Sequence, residues 1–312
     1  MNILVYGWYN HFNVGDDLFI DAFRKIFPQY SFIFTDQITT NHLDNIDAVF
    51  FGGGSFLDGQ PNIAEDALGA LLSKKVFYIG VGTETEIHPT HLKLMRAAKL
   101  IATRSKNFDK IKPINENILF IPDLVYSLQS DVVINNINSK SILYLPNSNL
   151  VPKNKDPIWK YNLWEYFKSE FSQAIEYLIG LDYNIDIFSM CQNKYGNDCW
   201  AGIEILNKIC DTQNINIINN KCNNISYLSN IFSKYEIIIS SRFHGIILAE
   251  MVGRNCLSIS HHDKLNYGKN VICYNSINKN SIIDSFYNLE NSPKIHREHY
   301  FDLLRSSIDK LI

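Results

Sequence analysis

Short apolar runs alternate with helical patterns along the whole of this 312-residue chain, and this alternation constrains the fold more than any other feature. It is typical of βαβ units, whose strands form a parallel sheet. In the first half, the predicted strands are Ile3–Gly7, Phe32–Thr35, Ala48–Phe51, Val76–Val81, Leu100–Thr103 and Ile118–Ile121. The predicted helices lie near Asp17–Ile26, Ile63–Ser73 and Pro89–Ala98.

A second series of the same kind follows a polar stretch, Ser127–Ser141, whose Asn and Ser content predicts a linker. Its predicted strands are Ile142–Leu145, Ile185–Phe188, Ile215–Ile218, Ile237–Ser240, Leu257–Ser260 and Val271–Tyr274. Its predicted helices lie near Leu163–Ile179, Ala201–Ile209, Tyr227–Phe232 and Ile246–Met251. The chain is too long for one small core, so two α/β domains are expected, covering residues 1–130 and 141–290.

The last stretch, residues 291–312, is predicted to be a separate amphipathic helix. Asn291-Ser292-Pro293 is typical of a helix start with Pro at the first helical position. Apolar residues then recur at helical spacing, which indicates a helix that covers an apolar surface. They are Phe301, Leu304, Ile308 and Leu311.

Composition narrows the function classes. The formal net charge of −3 gives no basic excess for a nucleic-acid partner. The N-terminus lacks the basic and long apolar regions of a secretory signal, and no apolar run approaches the ~20 residues of a membrane span. The six cysteines form no C-x-x-C pair, which favours a reduced, cytoplasmic protein over a disulfide scaffold or zinc site.

Two glycine-containing motifs follow predicted strands of the first half. Gly7–Asp17 comes after the first strand and opens a helix, where backbone N–H groups can bind an anion or an acceptor hydroxyl. Asp16 and Asp17 could instead simply cap that helix. Gly52-Gly53-Gly54-Ser55 allows close backbone approach to a phosphate or carboxylate, although a tight turn would also need small residues.

Two arginines follow strands in the two halves. Arg104 offers a rigid fork for a carboxylate or phosphate, but alone it could be an ordinary surface residue. Ser241-Arg242-Phe243-His244-Gly245 joins a strand to a helix, so that Arg242 can bind an anion and His244 can transfer a proton near neutral pH. This junction is the strongest functional signal in the chain.

The next strand is followed by His261-His262-Asp263-Lys264, where Lys264 could add a second cation for phosphate. The two histidines lack a spaced carboxylate or Cys set, so no metal site is predicted. The absence of a D-x-D motif weakens a metal-dependent nucleotide-sugar interpretation.

Aromatic residues cluster at the predicted helix near Leu163–Ile179. Trp159 and Trp164 could stack on sugar rings of an acceptor. Packing at a domain edge explains them equally well.

Together these residues resemble the polysaccharide pyruvyl transferase family over about residues 3–265. The resemblance rests on short motifs in a fixed order: Asn13-Val14-Gly15-Asp16, Gly52-Gly53-Gly54, Arg104, Ser241-Arg242-Phe243-His244-Gly245 with Ala249, and Lys264. It implies two Rossmann-like domains facing a cleft, a fold like glycosyltransferase-B. It also implies transfer of pyruvate from phosphoenolpyruvate onto a sugar of a cell-surface or capsular glycan, or its precursor, as a ketal.

The resemblance also assigns roles. Arg104, Arg242 and His244 match donor-site positions, and Lys264 completes the pattern. With the glycine run they give the expected donor-binding set: Arg104, Arg242, Lys264, Gly53, Gly54 and Ser55. The expected catalytic residues are His244 as acid and Asp16 on the acceptor hydroxyl. The expected acceptor contacts are Asn13, Asp17, Trp159 and Trp164.

No cofactor is expected besides the phosphoenolpyruvate substrate. The resemblance leaves open whether the saccharide acceptor is free, lipid-linked or polymeric, and it leaves peripheral membrane contact open as well. Asp17-Leu18 and Asn255-Cys256 depart from residues common in relatives, which leaves the acceptor's identity open. Two other functions remain: a metal-independent glycosyltransferase, with Glu250 on a ribose, and a catalytically silent glycan-binding protein.

Overall fold

The computed structural model describes residues 1–83, 86–193, 196–261, 265, 270–289 and 297–312. The chain forms two compact units. The first unit contains residues 1–11, 15–130 and 295–312, and the second contains residues 12–14 and 131–294.

The first unit is built on a six-stranded parallel sheet, with strand order β2-β1-β3-β4-β5-β6. Its strands are β1 (Asn2–Tyr6), β2 (Ser31–Thr35), β3 (Ala48–Gly54), β4 (Lys75–Val81), β5 (Leu100–Thr103) and β6 (Ile118–Phe120). The helices between them are α1 (Val14–Ile26), α2 (Ala67–Leu72) and α3 (Pro89–Ala97). All seven residues of β3 are buried, as expected for a central strand of a parallel sheet.

The second unit contains another six-stranded parallel sheet, with strand order β11-β8-β7-β12-β13-β14. Its strands are β7 (Asn138–Leu145), β8 (Asn184–Phe188), β11 (Ile215–Ile218), β12 (Tyr235–Ser240), β13 (Asn255–Ser260) and β14 (Val271–Cys273). A two-stranded ribbon adds β9 (Gln192–Asn193) and β10 (Gly196–Asn197). The helices are α4 (Ile158–Ile179), α5 (Asp198–Leu206), α6 (Ile225–Phe232), α7 (Phe243–Met251) and α8 (Lys279–Tyr287).

The C-terminal helix α9 (Glu298–Leu311) belongs to the first unit. It buries three apolar residues that the sequence predicted to share a face: Phe301, Leu304 and Ile308. The Arg305 side chain donates to the carbonyl oxygen of Ile26 at 2.6 Å, and Asp309 accepts from Gln29 at 3.0 Å. The amphipathic helix is therefore confirmed, and it covers the end of α1; its predicted start at residues 291–293 lies outside the described residues.

All predicted strands are confirmed within a few residues, and with them the α/β class and the two Rossmann-like sheets. The helix predicted near Ile63–Ser73 begins only at Ala67 because the chain before it pairs as extended backbone with Ile38. Ile38 donates to the carbonyl of Asn62, and Ala64 donates to that of Ile38, each at 2.9 Å. Those backbone groups are therefore not available to a helix.

The structure also describes the predicted linker, one helix that was not predicted, and the cysteines. The predicted linker overlaps at its start with a 3-10 segment, Leu124–Asp131, and at its end with the first residues of β7. Helix α8 was not predicted. The six cysteines, all described, form no disulfide, and no helix in the described parts of the chain is long and apolar enough to span a membrane.

Candidate functional site

Each sheet has one point where the strand order reverses, and the predicted motifs lie there. The reversal falls between β1 and β3 in the first sheet and between β7 and β12 in the second. In open parallel sheets, ligands bind at the carboxyl ends of the strands beside such a point. Asp16 follows β1, Gly54 ends β3, and Arg242 follows β12. The topology therefore supports a functional interpretation of all three motifs.

The glycine run after β3 has a packing reason as well as a binding one. A Cβ atom on Gly52 would lie 2.4 Å from the Phe23 ring, and one on Gly53 would lie 2.3 Å from the Phe19 ring. These two glycines therefore let α1 pack directly against β3. Gly54, with φ of +97°, would place a Cβ 3.2 Å from the Asp16 carboxylate. The structure thus brings Gly54 and Asp16 together at the first reversal point.

The loop between β1 and α1 divides its predicted residues between the two units. Asp17 accepts a hydrogen bond from the Asn10 backbone N–H at 2.7 Å, so it holds the loop inside the first unit. Asn13 instead forms an antiparallel bridge with Cys191, and Val14 donates to the Met190 carbonyl at 2.9 Å. Asn13 therefore belongs to the second unit.

Arg104 is buried and held by polar partners in the first unit. Its Nη1 donates to Asp123 Oδ2 and its Nη2 donates to Ser55 Oγ, both at 2.7 Å. The Arg104 and Asp123 side chains are only 6% and 2% exposed. Since a planar guanidinium bonded on two nitrogens keeps one orientation, this arginine is fixed at the carboxyl end of β5. The interpretation as an ordinary surface residue is wrong.

Arg242 is held by a buried aspartate in the second unit. Its Nε donates to Asp198 Oδ2 at 3.0 Å, and its Nη2 donates to Asp198 Oδ1. The same carboxylate accepts the backbone N–H groups of Ser148 and Cys191, each at 2.9 Å. Asp198 is fully buried, whereas the Arg242 side chain keeps 15% exposure. The two-point pairing fixes the guanidinium at the start of α7.

His244 lies in the first turn of α7, two residues after Arg242, and its side chain is partly buried. Its ring meets that of Phe243 edge to face, with centroids 5.4 Å apart. A Cβ atom on Gly245 would lie 2.4 Å from both the Leu145 side chain and the Ser240 hydroxyl. Glycine at this position therefore lets α7 start directly against the strand ends, which places His244 at the second reversal point.

The side-chain amide of Asn147 connects three strand ends at this point. Asn147 follows β7 and is buried, and its Nδ2 donates to the Ser241 carbonyl at 3.0 Å. The same nitrogen lies 3.3 Å from His261 Nε2. Asn147 therefore links the ends of β7, β12 and β13.

Each unit has a buried tyrosine near its candidate residues, Tyr9 near Asp16 in the first and Tyr144 near Ser241 in the second, and both tyrosines remain protonated. Burial, reinforced by the nearby Asp16 charge, raises the pKa of Tyr9 well above its ordinary value. Burial also raises the pKa of Tyr144, and a hydrogen bond with Ser241 offsets only part of that rise. Both phenols are therefore hydrogen-bonding groups and not bases at neutral pH.

The two predicted tryptophans differ. Trp164 is only 3% exposed, its Nε1 donates to Glu204 at 2.7 Å, and its ring stacks on Phe167. The packing interpretation therefore holds for Trp164, which cannot offer a face to a sugar. Trp159 lies in the first turn of α4 and is 58% exposed, so its ring is accessible for stacking on a sugar.

Some expectations remain predictions. Lys264, with His262 and Asp263, lies outside the described residues. Among the residues that are described, no three His, Cys, Asp or Glu side chains are grouped as metal ligands would be.

Sequence reasoning missed the two carboxylates that hold the arginines. Asp123 follows β6 in Ile121-Pro122-Asp123, and Asp198 begins α5, where an acidic residue is usual and has a simple helix-start explanation. For Asp123, the sequence signal would have been an acidic residue just after the strand that pairs with the one before Arg104, whereas Asp198 follows the separate β9–β10 ribbon. Pairing across the sheet is not readable without the strand order.

Comparison with known proteins gives a family and a fold. The chain matches the family model of the polysaccharide pyruvyl transferases over residues 13–263, more than half of its length. No curated protein sequence gives a significant match.

Among solved structures, the chain is similar to UDP-GlcNAc 2-epimerase from Methanocaldococcus jannaschii, with 14% identity and a TM-score of 0.59 over 99% of this chain and 100% of that one. It is similar also to UDP-GlcNAc 2-epimerase from Neisseria meningitidis bound to UDP-GlcNAc, with 12% identity, a TM-score of 0.59 and the same coverage. At such low identity the likeness shows the fold alone, and it agrees with the two Rossmann-like sheets.

Proposed function

This chain belongs to the polysaccharide pyruvyl transferase family, and from that premise we propose that it moves pyruvate from phosphoenolpyruvate onto a sugar as a cyclic ketal. The proposed acceptor is a sugar of a cell-surface or capsular glycan, or of its precursor. We place the reaction in the cytoplasm, where phosphoenolpyruvate is formed. One observation carries the proposal. Arg242 lies at the start of α7, two residues before His244, and buried Asp198 fixes its guanidinium.

Donor recognition follows from the charges of phosphoenolpyruvate, which carries a carboxylate and a phosphate. Arg242 and Arg104 are each fixed by an aspartate, so little side-chain freedom is lost when they bind an anion. Each aspartate also offsets its arginine's charge, so the pairs provide orientation more than net charge. We assign the additional positive charge to Lys264 and to His244 in its protonated form.

The proposed chemistry adds one sugar hydroxyl to the donor and then replaces phosphate by a second hydroxyl. His244 gives a proton to the methylene carbon C3 while the first hydroxyl oxygen bonds to C2, and the proton of that hydroxyl returns to the imidazole. The C2–O bond to phosphate then breaks, and a neighbouring hydroxyl closes the ring at C2 as its proton passes to the departing phosphate. A positioned acid of this kind contributes about 10²- to 10⁴-fold in rate.

The acceptor contacts are assigned residue by residue within each unit. Asp16, beside Gly54, is our proposed partner for the attacking hydroxyl. Asn13 and Asp17 shape the loop that precedes α1, and exposed Trp159 offers a ring face to a sugar. Trp164 is left out because its ring is part of the core.

A ligand panel tests the donor. Phosphoenolpyruvate should raise the melting temperature in a chelator-containing buffer, because its binding stabilises the folded state and the proposed site uses no metal. UDP, GDP and CMP serve as comparison ligands under identical conditions. Stabilisation by a nucleotide but not by phosphoenolpyruvate would favour a nucleotide-sugar glycosyltransferase instead.

A further inference from the structure

The chain that leaves β4 is fixed at the carboxyl edge of the first sheet. Gly80 has φ of +71°, and the β4–β5 pairing shifts register there, as in a β-bulge. Bulges re-aim the residues that follow them and are common beside active sites. Gly82 then donates to the Gly54 carbonyl at 3.1 Å, and Thr83 donates to Ser105 Oγ at 2.9 Å. Thr83 is thus held between the end of β3 and the residue that follows Arg104.

The hydroxyl groups around this turn differ in how many hydrogen bonds they make. Thr103 Oγ1 donates to the Val81 carbonyl at 2.8 Å and accepts the Ser105 N–H at 3.1 Å. Ser105 Oγ accepts the Thr83 N–H. Thr83 is only 3% exposed, yet its Oγ1 has no hydrogen-bond partner in the part of the chain that the structure describes. A buried hydroxyl without a partner raises the free energy of the folded protein. Because this hydroxyl has already lost its water, a ligand that accepts its hydrogen bond does not have to displace water from it.

The surroundings indicate the charge of that partner. Arg104 precedes Ser105 and donates to the hydroxyl of Ser55, which follows the glycine run. Thr83 is thus linked through its backbone N–H to the hydroxyl of Ser105, the residue that follows Arg104, and a guanidinium with fixed partners suits the oxygens of a carboxylate or phosphate. We infer that the Thr83 hydroxyl donates a hydrogen bond to an anionic oxygen of bound phosphoenolpyruvate. The inference deepens the proposed function and rests on it for the identity of the ligand.

Calorimetric titration of phosphoenolpyruvate into the full-length protein and three variants tests the inference. Thr83→Val removes the hydroxyl and keeps the shape, so phosphoenolpyruvate should bind about tenfold more weakly. The melting temperature of the free variant should not fall, because no hydrogen bond within the protein is lost. Thr83→Ser should bind like the wild type, since it restores the donor.

Thr103→Val is the matched control on the neighbouring strand. It should lower the melting temperature of the free protein, because it removes two hydrogen bonds within the protein, one to the Val81 carbonyl and one from the Ser105 N–H. The two valine variants therefore separate a ligand-binding hydroxyl from a structural one. A Thr83→Val protein that melts early, or that binds phosphoenolpyruvate as tightly as the wild type, overturns the inference.

Inorganic phosphate distinguishes this inference from the proposed function. If the wild type binds phosphate but not phosphoenolpyruvate, the proposed donor is wrong. The Thr83 hydroxyl then stands as an anion-binding group only if Thr83→Val also weakens phosphate binding. If the wild type binds neither ligand, both proposals fail.

Discussion

The two units each hold one arginine against a buried aspartate, but they do so in different ways. Arg242 bonds to one carboxylate through two nitrogens, and that carboxylate also accepts two backbone N–H groups. Arg104 instead divides its donors between the carboxylate of Asp123 and the hydroxyl of Ser55. Arg242 thus makes two of its bonds to one carboxylate, with a longer bond to Ser148 Oγ at 3.4 Å, whereas Arg104 gives one bond of 2.7 Å to each of two partners. We expect the second unit to depend more strongly on its aspartate.

The largest effect is expected for Asp198→Ala. This change leaves the Arg242 guanidinium and two backbone N–H groups without their carboxylate, so stability should fall by about 3–5 kcal/mol. Urea unfolding followed by tryptophan fluorescence measures the loss. Asp302→Ala is the control, because the Asp302 side chain is 71% exposed and pairs with Arg305 one turn along α9. Equal stability of the two variants would contradict the structural role of Asp198.

Asp123→Ala should destabilise less, by about 2–3 kcal/mol, because Asp123 accepts one backbone N–H, that of Val125, whereas Asp198 accepts two. The same urea measurement, run beside Asp198→Ala, tests the order of the two effects. A greater loss for Asp123→Ala would reverse the comparison between the units.

Lysine substitutions test the same difference through activity. Arg242→Lys should reduce kcat/KM for phosphoenolpyruvate by the equivalent of about 2 kcal/mol, because an ammonium cannot reproduce the two-point pairing with Asp198. Arg104→Lys should lose less, since its two partners need no fork. Initial rates of phosphate release measure both. Identical rates for the two lysine variants would show that pairing geometry does not matter.

Lowering the pH is expected to reduce the stability of the first unit by a smaller amount. His91 is fully buried beside Tyr78, and burial lowers the pKa of its imidazole to about 4. Because an unfolded histidine titrates near 6.5, the unfolded state binds more protons between those values, and stability falls as the pH falls. Between pH 6.5 and pH 5 this histidine should remove about 1.5 kcal/mol.

The check compares urea unfolding of wild type and His91→Gln at both pH values. Glutamine does not titrate and keeps a polar group for Tyr78, so the variant should lose less stability on acidification. An equal loss in both proteins would place the acid sensitivity elsewhere.

The periodicity of the sequence predicted the fold well because buried parallel strands are short apolar runs with little else in them. Leu100–Thr103 and Ile215–Ile218 have the bounds that their apolar residues predict. The early part of the Ile63–Ser73 helix failed because tertiary pairing with Ile38 took its backbone groups. Helix α8 was missed because its apolar residues are few and interrupted by polar ones.

The sequence predicted the arginines of the candidate site but not the aspartates that hold them. Arg104 and Arg242 were found because they directly follow apolar strands. Asp123 and Asp198 were not, since their role depends on which segments the fold brings beside the arginines: Asp123 follows the strand next to that of Arg104, and Asp198 follows the β9–β10 ribbon. Trp164 shows the opposite error, because an aromatic residue looks the same in sequence whether it binds a ligand or fills a core.

We propose that Arg242 in the second unit binds phosphoenolpyruvate and that His244 protonates it. The most direct measurement pairs phosphoenolpyruvate affinity, by calorimetry, with acceptor-dependent phosphate release for wild type and His244→Gln. A wild-type acceptor is first identified among galactose-, mannose- and hexosamine-terminated glycans. The variant should bind phosphoenolpyruvate with near-normal affinity and lose about 10²- to 10⁴-fold in turnover, because its amide can donate a hydrogen bond but not a proton. Near-normal turnover in His244→Gln would contradict the account.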